Sequence, residues 1–109
     1  KKITKESGKI DWSKSAGEIE AMIRAYTPWP HAYTYWNNTR LIIHKGYASS
    51  KVTKELPGQV LSDEKNLIKI ACGDGRILVI EKIQREGKSV LTATEFFNGS
   101  PQFTNGFCS

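Results

Sequence analysis

The stretch Leu67-Ile68-Lys69-Ile70-Ala71-Cys72-Gly73-Asp74-Gly75-Arg76-Ile77-Leu78-Val79-Ile80 decides the fold class of this chain. Two apolar runs rich in β-branched residues flank a Gly-Asp-Gly centre. Asp-Gly between such runs is a strong hairpin signal, because both residues accept the left-handed backbone that a tight turn between twisted strands requires. The first strand is expected over Leu67–Ala71 and the second from Arg76 to Ile83. Ile77 to Ile80 is continuously apolar rather than alternating, which marks a strand covered on both faces, one of them by a helix.

Upstream, Pro57-Gly58 supplies a turn before a short strand, Gln59-Val60-Leu61. Ala48 to Leu56 is looser, carries Lys51 and Lys54, and is expected as a surface loop. Ala32-Tyr33-Thr34-Tyr35-Trp36 and Thr39 to Lys45 favour strands, and Asn37-Asn38 between them tolerates positive φ, so a further hairpin is expected. Before it, Ser15-Ala16-Gly17-Glu18 has capping-box spacing, and Ile19, Met22, Ile23 and Tyr26 recur at helical intervals. Pro28 and Pro30 end that helix. Downstream, Glu86-Gly87 turns the chain into Ser89-Val90-Leu91. Thr92-Ala93-Thr94-Glu95 then repeats the capping box and opens a short helix ended by Asn98-Gly99.

These elements predict a mainly β domain with one N-terminal and one short C-terminal helix, a small OB-like open β-barrel, with an SH3-like barrel as the second choice. Closure removes exposed strand edges in a domain too small to cover them otherwise. The 109 residues suit one domain. Residues 1–14 are expected as a linker or extended lead-in, 15–99 as the barrel, and 100–109 as an irregular, mobile tail without periodicity.

The hydrophobic share of 39% and charged share of 25% are those of a soluble globular domain. No apolar run approaches a membrane span and no signal-peptide stretch follows the basic N-terminus, so a cytoplasmic location is expected. A net charge of +5 and a pI near 9.3 suit an anionic partner, nucleic acid first. Five lysines (Lys1, Lys2, Lys5, Lys9, Lys14) fall in the first fourteen residues, and the other cations are dispersed among acids. The two cysteines, Cys72 and Cys108, make no disulfide framework and share no metal-ligand spacing. Cys72 reads as a small buried thiol, and pairing with Cys108 would need the tail to return to its strand.

Reactive chemistry is nearly absent. His31 stands beside the proline-rich turn. His44 should share a strand face with Ile42 and Arg40, opposite Leu41 and Ile43. No serine, cysteine or carboxylate completes a catalytic group with either. Gly73-Asp74-Gly75-Arg76 lacks the glycine spacing of a dinucleotide site and leads into a strand, so it is a turn. Asp11, Glu18, Glu20, Asp63 and Glu64 show no paired spacing for acid–base work or cation binding. Trp12, Trp29 and Trp36 cluster around the helix and first strand and are expected to be buried. A binding or positioning module without catalytic residues or metal follows.

The series Ile10-Asp11-Trp12, Ile23-Arg24-Ala25, Pro28-Trp29-Pro30-His31-Ala32-Tyr33-Thr34, Pro57-Gly58-Gln59-Val60 and Ala71-Cys72-Gly73-Asp74-Gly75 resembles the C-terminal domain of methionyl-tRNA formyltransferases over about Ile3 to Gly99. The resemblance implies an OB-like barrel joined to an upstream Rossmann-like catalytic domain. That domain would bind 10-formyltetrahydrofolate and carry an Asn-His-Asp set, so no cofactor and no catalytic residue is expected in this chain. It implies initiator methionyl-tRNA and the upstream domain as partners, with a basic face on the tRNA. Arg40, Lys45, Lys51, Lys54, Lys69, Arg76 and Lys82, from outward strand positions and the long loop, are the candidate phosphate contacts. Position 31 departs from the family's pattern, where glycine follows Pro-Trp-Pro. The alternative is the accessory domain of a sugar N-formyltransferase or a 10-formyltetrahydrofolate dehydrogenase, with a structural or interaction role. A continuous basic stripe would favour the first reading and scattered charges the second.

Overall fold

The structure is a computed structural model that describes residues 5–61, 67–103 and 106–109. The lysines at positions 1 and 2 and the carboxylates Asp63 and Glu64 lie outside the described residues.

The Gly-Asp-Gly turn forms as its residue types dictate. Gly75 takes φ +80°, Cys72 N–H donates to the Arg76 carbonyl at 2.9 Å and Gly75 N–H to the Cys72 carbonyl at 3.1 Å. The turn joins β4 (Ile68–Ala71) to β5 (Arg76–Arg85). β5 is the centre of the sheet, pairing antiparallel with β4 on one side and with β2 (Thr39–Val52) on the other. β1 (Ala32–Trp36) and β3 (Val60–Leu61) are the outer strands in the order β1-β2-β5-β4-β3, and β6 (Val90–Thr92) pairs with the C-terminal part of β5. The result is a mainly β, curled half-barrel of the OB-like kind.

Both helices start where the hydroxyl–carboxylate spacing places them. α1 (Ala16–Tyr26) and α2 (Ala93–Gly99) each carry a complete capping box, Ser15 with Glu18 and Thr92 with Glu95. The Ser15 hydrogen bonds also hold the Glu18 carboxyl below its usual range. Asp74 adds a tie between distant segments, accepting from Arg76 N–H at 3.1 Å and from Ala16 N–H, at the start of α1, at 3.3 Å. A negative carboxylate there suits the positive end of the helix.

Leu78, Ile80 and Ile83 of β5 face the core with Leu41, Ile43, Val60, Ile68 and Ile70. Ile19 and Ile23 of α1 and Phe96 and Phe97 of α2 pack on them. Ile77 and Val79, of the opposite parity, are 6% and 3% exposed, so β5 is covered on both faces as its unbroken apolar run requires.

Three expectations change. Ala48–Leu56 is not a loop throughout, because β2 continues to Val52 against β5 and breaks register on the way, between Ile43 and Gly46 and between Ser49 and Val52. Bulges of this kind hide alternation in a sequence. The lead-in is likewise not merely extended. It forms a 3-10 turn at Lys5–Gly8 and buries Ile10 and Trp12. Trp12 Nε1–H donates to Thr34 Oγ1 at 2.9 Å. The described tail residues, expected to be free, are tied down: Phe103 and Cys108 are in the core. Ser109 exchanges backbone hydrogen bonds with Tyr35 at 2.9 Å in both directions. Two buried side chains without a period leave no pattern to read, yet they fill the end of the barrel.

Candidate nucleic-acid interface

Lys45 and Lys82 are directly opposed across the β2–β5 pair, and both are exposed. The pair stands at the break in register between Ile43 and Gly46, and it sets two positive charges on neighbouring strands at one point of the ribbon. Neither has an ion pair among the described residues, where the ion pairs are Arg24–Glu20 and Arg40–Glu86. Lys69, half-buried on β4, is opposite Val79, which is opposite Tyr47. That cross-strand row lies on the outer face, away from Leu78 and Ile80. The bulge between Ile43 and Gly46 separates this row from the Lys45–Lys82 pair.

Lys51, Lys54 and Arg76, all exposed, gather at one end of the β2–β5 ribbon. Val52 is opposite Arg76, and Thr53 N–H donates to the Gly75 carbonyl at 2.8 Å. Arg76 has the parity of Leu78 and so leaves the sheet toward its other side. Arg40 stands apart at the opposite end of β2. Its guanidinium lies 3.8 Å from the centre of the Tyr33 ring and 3.5 Å from the Glu86 carboxylate, and its side chain is 20% exposed.

Arg40 belongs to a cleft of about 200 Å³ whose walls are Trp29, Pro30, Tyr33, Arg40, Ile42 and Glu86. Trp29 corrects the expectation that all three tryptophans are buried. Trp12 and Trp36 are 5% and 8% exposed, whereas Trp29 is 60% exposed. It follows the end of α1 between two prolines, off the helix's apolar stripe, and that position is the signal that could have set it apart. Tyr33, Ile42 and Gln84 form one cross-strand row. Gln84 and Lys82 alternate on the same side of β5, so the cleft and the lysine pair lie on one face.

Between them sit the two histidines. His44 Nε2 lies 2.7 Å from Gln84 Oε1. It is half-buried like Ile42, on the face opposite Leu41 and Ile43, and alternation then breaks at the bulge, where Lys45 is exposed. Its ring is 4.5 Å from that of His31. His31 has φ +76°, the left-handed region that glycine enters freely and other residues enter at a cost. Neighbours impose this backbone. His31 N–H donates to the Tyr26 carbonyl at 2.7 Å, and Gly8 packs so closely on the His31 carbonyl that a side chain at Gly8 would collide with it. His31 Nδ1 is buried without a partner. Burial first, and then the adjacent His44, hold this imidazole below its usual pKa.

The tail does return toward the Cys72 strand, since Cys108 N–H donates to the Gly58 carbonyl and Gly58 N–H to that of Ala71, both at 2.8 Å. Both cysteines are nonetheless free thiols, and burial pushes each up to about 12. Among the described residues, no group of three or more His, Cys, Asp and Glu side chains could hold a metal ion. No helix among them is long and apolar enough to cross a membrane.

The fold is that of a small, mainly β, OB-like half-barrel domain with two capped helices. The chain belongs to the formyl transferase C-terminal domain family, whose model matches residues 2–101. It is 41% identical over 98 residues to a methionyl-tRNA formyltransferase of Clostridium novyi, covering 90% of this chain and 31% of that protein. Over 106 residues it is 42% identical to the methionyl-tRNA formyltransferase of Legionella pneumophila strain Corby, covering 96% of this chain and 33% of the relative. The chain thus spans about a third of the length of the curated relatives it matches. Among solved structures, HypX from Aquifex aeolicus in complex with tetrahydrofolic acid shares the fold with a TM-score of 0.71 at 17% identity, over 88% of this chain and 17% of that one. The left-handed backbone that His31 occupies is one that glycine, the residue implied there by the resemblance, enters freely.

Proposed function

We propose that this chain is the tRNA-positioning domain of a methionyl-tRNA formyltransferase, holding initiator methionyl-tRNA for an upstream catalytic domain. The observation that carries the reading is the opposed pair Lys45 and Lys82. Like charges directly opposite one another across strands destabilise a sheet, and a phosphate seated between them reverses the sign of that interaction. Lys69 lies toward β4, and Lys51 and Lys54 add exposed charge at the ribbon's end, whereas Arg76 leaves the sheet toward its other side and is not counted with them. Arg40 flanks it beside the cleft. Contacts of this kind neutralise phosphates and set orientation without reading sequence. The formyl donor 10-formyltetrahydrofolate and the transfer step belong to the upstream domain, in the cytoplasm.

Titration of the chain with initiator tRNA across ionic strength tests this. Three to six phosphate contacts give a slope of log K against log salt of about −3 to −5. Absence of salt-sensitive binding at low ionic strength would refute it and favour an accessory role beside a formyltransferase acting on a small substrate such as an amino sugar.

A further inference from the structure

We propose that the cleft of Trp29, Pro30, Tyr33, Arg40, Ile42 and Glu86 receives a nucleobase turned out of the tRNA stack, a role that rests on the tRNA reading above. The base stacks on Trp29 and presents an amino group to the Glu86 carboxylate.

The cleft suits a ring better than a phosphate. Arg40 is its one cation, and that charge is already engaged by Glu86 at 3.5 Å and by the Tyr33 face at 3.8 Å. A carboxylate at the rim repels phosphate but accepts from an amine such as that of cytosine. Glu86 is positioned by its backbone, whose N–H donates to the Arg40 carbonyl at 3.0 Å. The remaining walls are apolar or aromatic. Trp29 exposes 60% of its surface, although burying a tryptophan is strongly favourable. Aromatic side chains beside a cationic surface are the usual platform for unstacked bases. The cations are close: Lys82 precedes Gln84 on the same face, about 7 Å along β5, and Gln84 is opposite Ile42 of the cleft wall. A nucleotide whose base enters the cleft therefore brings its neighbouring phosphates to Lys82 and Lys45.

Trp29 supplies its own probe, because the other two tryptophans are buried and a quencher in solution reaches chiefly this one. Initiator tRNA added to the 109-residue chain should quench Trp29 emission and protect it from acrylamide, a change missing from Trp29→Phe. Trp29→Ala should weaken tRNA binding about 5- to 100-fold, with Trp29→Phe retaining most of the affinity. Oligocytidine should bind more tightly than oligouridine, and Glu86→Ala should erase that preference. Salt-sensitive tRNA binding with unchanged Trp29 emission and an unaffected Trp29→Ala variant would overturn the base site and leave the tRNA reading standing. No tRNA binding at all would overturn both. Protection of Trp29 by a joined upstream domain without RNA would assign the cleft to a domain contact and overturn the base site alone.

Discussion

Replacing His31 separates a backbone cost from a side-chain contact. The residue holds φ +76° because the Tyr26 carbonyl takes its N–H and Gly8 packs on its carbonyl, so the conformation survives whichever side chain is attached. His31→Ala removes the imidazole, its contact with His44 and the unpartnered Nδ1 but keeps a Cβ in the left-handed region. His31→Gly removes the Cβ as well. The left-handed conformation costs a non-glycine residue about 1–2 kcal/mol, and glycine gives back about 0.5–1 kcal/mol through its freer unfolded chain. The glycine variant should therefore exceed the alanine variant by about 1 kcal/mol, or about 4–8 °C in Tm for a domain of this size. Thermal unfolding of the two variants side by side measures it, and because they differ in one carbon atom the loss of the ring cancels. A glycine variant no more stable than the alanine variant would refute the claim that the fold imposes this backbone on position 31.

The same residue predicts a pH dependence. His31 is held below its usual value of 6.5, so the unfolded chain takes up this proton first as pH falls. Its contribution is intact above that value and is lost as pH falls below it, so unfolding midpoints should fall more steeply with acidification below about pH 6.5 in the native chain than in His31→Gly. Equal profiles would refute it. Lys82→Glu should stabilise the domain by about 0.2–1 kcal/mol by pairing with Lys45 while weakening tRNA binding and flattening its salt slope by about 1–2. A variant that gains stability without losing tRNA affinity would remove the pair from the interface. Both thiols, pushed up to about 12, should resist a disulfide reagent at neutral pH in the folded chain and react on unfolding. Rapid labelling of the native protein would contradict their burial. Phe103→Ala should cost about 3–5 kcal/mol in urea unfolding, and a loss below about 1 kcal/mol would show that the tail does not complete the core.

What the sequence makes legible here are local interactions. The two capping boxes, the prolines that stop α1 and the Asp-Gly and Asn-Asn turns each act within a few residues, and each is where its pattern puts it; Asn37 and Asn38 take φ of 49° and 62°. Long-range partnerships leave no such trace. Ile10, Trp12, Phe103 and Cys108 are isolated apolar residues in polar surroundings, and only the folded barrel shows that both chain ends plug its core. The bulges in β2 disguise a strand as a loop for the same reason, since the partner strand rather than the local sequence sets the register. Among the candidate cations, composition could nominate Lys45 and Lys82 but could not show them opposed. Nor could it place Arg40 beneath Glu86 and beside an exposed tryptophan.

The face that carries these groups is also where the chain departs from local rules. Two lysines oppose each other, a histidine occupies a glycine-like backbone with a buried nitrogen unpartnered, and a tryptophan stays in solvent. Each costs folding free energy. The core face shows nothing comparable, for its strands, both helices and both chain ends agree on one apolar interior. Natural sequences are expected to break their own consistency where a partner acts. An anionic polynucleotide bearing unstacked bases would offset two of the three departures, the lysines through its phosphates and Trp29 through a base. His31 is then the residue that should tolerate replacement without loss of tRNA affinity. If His31→Gly weakened binding as much as Trp29→Ala, the face would be larger than the cleft and the lysine pair, and the histidines would belong to it.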